Sequence, residues 1–255
     1  MKLLGLADQQ NRRIVVKNID DFKTDVWQWS VDDEKFKNIS GLKLRNTKEY
    51  GTVAAFCASE GYAAVAKYPE GDILWQVYAE GNLHSIEVLP NFKIALAASD
   101  GCYIRLYEGK EYQEVNLPQA HGALWDPENE CLWALGEYEL RAYKNGLNRE
   151  AAYNLPEGIS DGHDLSPDYN DKNELFITTH QSVFKFCKKE KEFKAYMEMP
   201  CVKGIGNFPK GEIAYIYPNG KHLPWCTDEV HIGDRIEKVN NEAYYKLRIW
   251  NERYI

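Results

Sequence analysis

The chain has 255 residues, 44% of them hydrophobic, 13% aromatic and 27% charged, with a formal net charge of −8. The apolar fraction excludes a disordered chain and is ample for a buried core. The acidic balance argues against nonspecific phosphate-backbone binding, and no run approaches the roughly 18 consecutive apolar residues of a membrane-spanning helix.

The N-terminal stretch MKLLGLADQQNRR turns polar too soon for a secretory signal. Six cysteines (Cys57, Cys102, Cys131, Cys187, Cys201, Cys226) form no CxxC pair and sit mostly in apolar runs. Reduced, mostly buried thiols in a cytoplasmic, monomeric protein are the expectation. In chain order, LLGLADQQNRRIVVKNI and DVWQWSVD read as the later strands of a unit that lacks its first strand. From Gly41 to Ala79 a full unit follows, and units of nearly the same length start at His84, His121 and His163. Each has a short inner run, a turn of Pro, Asn, Gly or Asp, and then an apolar strand (KIALAAS, CLWALGE, ELFITT). An alternating strand (YIRLYE, ELRAYK, SVFKFCKK) and an amphipathic one (EYQEVNL, REAAYNL, EFKAYMEM) complete it. Another unit opens near Val202.

Four short strands per unit of about 40 residues, with turn signals every 8–12, mark a β-propeller blade. The expected fold is all-β, a single domain over 1–255 forming a six-bladed β-propeller. Its blades fall at about 1–36, 41–80, 84–117, 120–155, 161–199 and 200–255. The C-terminal YYKLRIWN either closes the ring as the missing first strand or forms the outer strand of the last blade. No stretch keeps the helical i, i+3, i+4, i+7 pattern across ten positions.

First strands line a propeller's central channel, so residues at equivalent positions on them converge although they lie about 40 apart in sequence. Counting back nine from each second strand gives Lys43, His84 and Lys203; allowing extra turn residues adds His121 and His163, and ring closure adds Lys246. These six form the predicted channel mouth. Arg45 and Arg248, two residues after a lysine in KLR, would share the lysine's face. Basic groups gathered in an acidic chain suggest an anionic ligand, and arginine's planar fork suits a carboxylate. Glu87 and Asp164 lie close enough to orient histidines. Trp125 and Tyr169 are candidate sugar-stacking aromatics. His180, His222 and His231 fall outside the repeat frame and read as surface or packing residues. No GxGxxG, P-loop, GxSxG or HExxH motif is present.

The blade grammar, with HSIEVLP, AHGALWDP, GHDLSP and WCTDEVHI, resembles six-bladed propellers of the TolB-like kind and a bacterial family of small propellers without an established activity. More distantly, histidines on first strands are similar to those of propeller polysaccharide lyases such as oligogalacturonate lyase, where a histidine cluster holds a divalent metal. That resemblance implies a metal, zinc or manganese, on His84, His121 and His163. The leading expectation is a lyase or hydrolase of an anionic saccharide. Lys43, Lys203 and His163 would be catalytic, and Arg45, Lys246, Arg248 and Trp125 would bind substrate. The alternatives are a noncatalytic propeller that binds a carbohydrate or small anion, and a scaffold for protein partners.

Overall fold

The computed structural model describes residues 1–253 and shows a ring of six four-stranded antiparallel sheets. The second blade contains β4 (Ile39–Thr47), β5 (Gly51–Ala58), β6 (Tyr62–Lys67) and β7 (Ile73–Tyr78). β8 (Leu83–Leu89), β9 (Lys93–Ala98), β10 (Tyr103–Glu108) and β11 (Glu111–Asn116) make the third. In the fourth are β12 (Gly122–Asp126), β13 (Cys131–Leu135), β14 (Glu139–Lys144) and β15 (Asn148–Asn154). The fifth has β16 (Asp164–Pro167), β17 (Glu174–Thr178), β18 (Val183–Cys187) and β19 (Glu192–Met197). The sixth is β20 (Gly204–Asn207), β21 (Ile213–Ile216), β22 (Glu229–Ile232) and β23 (Arg235–Lys238). The first blade joins both chain ends: β24 (Tyr244–Ile249) pairs with β1 (Leu3–Asp8), followed by β2 (Arg13–Asn18) and β3 (Asp21–Trp29).

That pairing decides between the two readings of YYKLRIW. The segment is the inner strand of the first blade, and the sixth blade ends at β23 rather than running to the C-terminus. Closure of this kind covers the backbone edge of β1 that would otherwise be free to pair with other molecules.

The core lies between sheets. Six apolar clusters each join neighbouring blades, from the contact around Phe56 and Trp250 to the one around Phe208 and Leu247. Middle strands such as β9 and β13 are packed on both faces, so they read as continuous apolar runs, whereas outer strands such as β11 keep a solvated face. Near the axis the blades approach closely. A Cβ at Gly204 would stand 2.8 Å from the backbone nitrogen and 3.0 Å from the carbonyl oxygen of Leu247 on β24. Backbone on one side cannot yield as a side chain would, so Gly204→Ala is expected to destabilise by about 1–3 kcal/mol, read as a lowered urea midpoint.

All six cysteines are free, and burial pushes the thiols of Cys57, Cys131 and Cys226 up to about 12, which makes them poor nucleophiles. No helix among the described residues is long and apolar enough to cross a membrane.

Candidate functional site at the channel mouth

Three blades begin in the same way. The backbone N–H of His121, His163 and Lys203, each the residue just before its inner strand, donates to the carbonyl of Leu135, Thr178 and Ile216, which end the neighbouring strands. In the other three blades the ladder shifts register at this height. His84 is the extra residue between the pairs Leu83–Ala98 and Ser85–Ala97, and Ser40 occupies that position between Ile39–Ala58 and Gly41–Cys57. On β24 two residues, Tyr245 and Lys246, oppose the single Ala7. A bulge re-aims a side chain, and here it completes a rim of Ser40, His84, His121, His163, Lys203 and Tyr245.

The rim brings the three predicted histidines together. Ring centroids lie 4.1 Å apart for His84 and His121, 4.9 Å for His121 and His163, and 6.1 Å for His84 and His163. Tyr245 bridges two of them, its hydroxyl 3.1 Å from His84 Nδ1 and 3.4 Å from His163 Nε2. His121 Nδ1 donates to the carbonyl of Gln119 at 2.8 Å, which leaves its Nε2 as an acceptor. His180, read from sequence as lying outside the frame, is a fourth ring, 5.7 Å from His163 and half exposed. His231 instead stacks on Tyr215 in the outer part of blade six, and His222 is solvent-exposed.

Burial and the nearby Lys246 and Lys203 ammonium groups hold the histidines neutral. His84 and His163 are held well below the usual range, and His121 is lowered to about 4. Burial also raises the Tyr245 phenol, so it stays a proton donor. Lys203, lowered by burial, lies 5.9 Å over the Tyr245 ring and has no carboxylate partner among the described residues.

Lys43 and Lys246 do not stand on the rim. Counting from the second strand ignored the bulge at Ser40 and the longer β4–β5 hairpin and so set Lys43 too near the mouth, and ring closure alone did not reveal the bulge that gives the rim position to Tyr245 in place of Lys246. Lys43 Nζ lies 3.1 Å from Glu87 and also donates to the Ala123 carbonyl. Arg45 holds the same carboxylate side-on through Nε and Nη2, at 2.8 and 2.9 Å. On β24 the arrangement repeats. Arg248 clasps Asp164 end-on at 2.6 and 2.7 Å, and Lys246 reaches it at 3.1 Å. These groups are buried, so Lys43 is out of reach as a catalytic group, and the substrate-binding roles assigned to Arg45, Lys246 and Arg248 give way to internal ion pairing. Burial alone would raise the two carboxylates; Arg45 and Lys43 hold Glu87 below its ordinary value, and Arg248 and Lys246 do so for Asp164. Trp125 sits elsewhere, packed in the apolar contact between blades three and four.

A depression of about 360 Å³ opens over the rim, lined by His84, Lys203, Tyr245, Gln9, Asn82 and Trp225 among others. Trp225 is 40% exposed there, and its Nε1 donates to Gln9 Oε1 at 3.0 Å. The residues that sequence reasoning missed are thus Tyr245, Gln9, Asn82 and Trp225. No three His, Cys, Asp or Glu side chains among the described residues are placed to hold a metal ion. The imidazoles tilt against one another, and ring nitrogens are engaged by Tyr245 and the Gln119 carbonyl.

Comparison with known sequences decides the kinship. A family model matches residues 2–249. The chain belongs to DUF6528, a family of unknown function. No curated protein is similar to it in sequence. Among solved structures, this DUF6528 chain is similar to a protein of unknown function from Bacteroides caccae, at 12% identity and TM-score 0.60, covering 84% of this chain and 82% of that one. It is also similar to a chain of the nidogen/laminin complex (12% identity, TM-score 0.69, 96% and 97% covered). Virginiamycin B lyase from Staphylococcus aureus gives 10% identity and TM-score 0.59, with 82% and 71% covered. Identities this low show a shared propeller fold and nothing finer. The likeness to TolB-like propellers and to oligogalacturonate lyase gains no support from them.

Proposed function

We propose that this DUF6528 propeller binds a carboxylate-bearing saccharide in the depression over the rim and acts on it as a lyase or hydrolase. The observation that supports this is Lys203. It is a cation without a carboxylate partner among the described residues, set beside neutral imidazoles and a protonated phenol under an exposed indole. Lys203 would pair with the carboxylate, Trp225 would stack on a sugar face, and Gln9 and Asn82 would meet hydroxyls. Pairing the carboxylate makes the adjacent C–H more acidic. Neutral His84, which lines the depression, would then take that proton, and Tyr245 would supply one to the departing oxygen.

Titration calorimetry with glucuronate and with glucose tests the binding step. Wild type is expected to prefer the uronate, and Lys203→Met to bind it at least tenfold more weakly, about the contribution of one charge-assisted hydrogen bond. Equal affinity for both sugars in wild type would overturn the reading. If His84→Gln binds oligouronides normally and neither it nor wild type shortens them, by elimination to an unsaturated product or by hydrolysis to new reducing ends, the site is a noncatalytic binding site. Zinc or manganese on His84, His121 and His163 is a separate proposal, since it needs Tyr245 to release two imidazoles; elemental analysis of the purified protein tests it.

A further inference from the structure

On the face opposite the rim, the seam between blades three and four opens into a groove that the site over the channel does not use. Asn91 follows β8, Glu130 follows β12 and Asn145 follows β14, each at the strand end away from His84 and His121. A hollow of about 290 Å³ lies here over the buried side chains of Leu89, Leu106 and Tyr143, with Trp125 in its wall. A second hollow of about 150 Å³ adjoins it and continues outward along Glu111, Tyr112 and Gln113. Lys93, Leu106 and Gly146 line both. Gly146 has a φ of 87°, and a Cβ there would stand 2.8 Å from Gln113 Oε1, so glycine leaves the junction of the two hollows open.

The polar groups around this groove lack partners. The indole N–H groups of Trp27, Trp29, Trp75, Trp133 and Trp225 each donate to an acceptor of the chain. That of Trp125 has no partner among the described residues and, unlike that of Trp250, is not enclosed. The side chains of Asn91, Glu130 and Asn145 also make no hydrogen bond or ion pair among the described residues. Charge narrows the ligand. Lys93 is the one cation lining the groove among the described residues, and it is already paired with Glu108 at 2.9 Å, while Glu111 and Glu130 add two more carboxylates. An anion would be repelled here. An apolar ligand would strip water from the free amides and carboxylates and return no hydrogen bond. A polyol meets both demands, because a pyranose sets C–H bonds against an indole and hydroxyls against amides and carboxylates. We propose that the groove is a second carbohydrate site, for a neutral saccharide, in which a sugar ring packs against Trp125 and its hydroxyls meet Asn91, Glu130 and Asn145. The indole N–H donates to a sugar oxygen, and Lys93 stays with Glu108. The site stands whether or not a uronate binds at the rim.

The full chain labelled with 5-fluorotryptophan gives a fluorine resonance for each indole, and Trp125→Phe and Trp225→Phe identify the two that matter. Cellotriose, maltotriose and mannotriose are the probes. At least one is expected to shift the Trp125 resonance saturably while that of Trp225 stays in place. Glucuronate is expected to leave the Trp125 resonance unmoved; its effect at Trp225 reports on the rim alone. By calorimetry, Trp125→Ala is expected to weaken binding of the best of the three sugars at least tenfold; should that variant fail to fold, the fluorine titration decides. No shift of the Trp125 resonance by any of these sugars, or an equal shift by glucuronate, would overturn the proposal. So would a shift by trilysine and by none of the sugars, which would mark an acidic groove for a basic peptide.

Discussion

Asp164→Ala is expected to lower the free energy of unfolding by about 3–5 kcal/mol, a large share of the stability of an ordinary domain. The carboxylate is 1% exposed and receives both terminal nitrogens of Arg248 and the ammonium of Lys246. Its removal leaves Lys246 and Arg248 enclosed without the carboxylate that both of them contact. The net worth of the intact ion pairs is small, because desolvation offsets most of the attraction; the loss comes from stranding Lys246 and Arg248. Adding Lys246→Met to the alanine variant should therefore recover part of the stability, whereas additive destabilisation would indicate a simple packing defect. Urea unfolding of the three proteins at pH 7.5 measures this, and a single variant within 1 kcal/mol of wild type would refute the account.

The propeller was legible because its repeat is carried by backbone chemistry. Turns of Pro, Asn, Gly and Asp, followed by KIALAAS, CLWALGE and ELFITT, land on β9, β13 and β17. The convergence of His84, His121 and His163 was legible for the same reason: equivalent strand starts surround one axis. What could not be counted was register. A bulge adds one residue without any fixed signature, so Ser40 and Tyr245 took rim positions that counting and ring closure had given to Lys43 and Lys246. The buried pairing of Arg45 with Glu87 and Arg248 with Asp164 depends on contacts between blades about 40 and 80 residues apart. No local pattern records such contacts. Gln9 and Trp225 belong to LADQQNRRI and WCTDEVHIG, stretches visible in the sequence as loops but without a motif to mark them as walls of one depression.

Acid should weaken the fold through the same histidines, well before most carboxylates titrate. In the unfolded chain an imidazole protonates near 6.5; in the folded chain His121 does so at about 4, and His84 and His163 are held well below the ordinary value. Above pH 6.5 both states are neutral and the histidines contribute no pH dependence. As pH falls from 6.5 toward 4 the unfolded state takes up protons that the folded state refuses, so stability is lost across that window. For His121 alone the loss between pH 7.5 and 4.5 is about 2–3 kcal/mol, and His84 and His163 act with the same sign. His121→Gln is therefore expected to flatten the profile by about 2 kcal/mol over that range, measured as the difference between urea unfolding free energies at the two pH values. A residue that serves only to fill space would shift both values equally. An unchanged pH difference in this variant would mean that the His121 imidazole is not held neutral by its burial near Lys203 and Lys246.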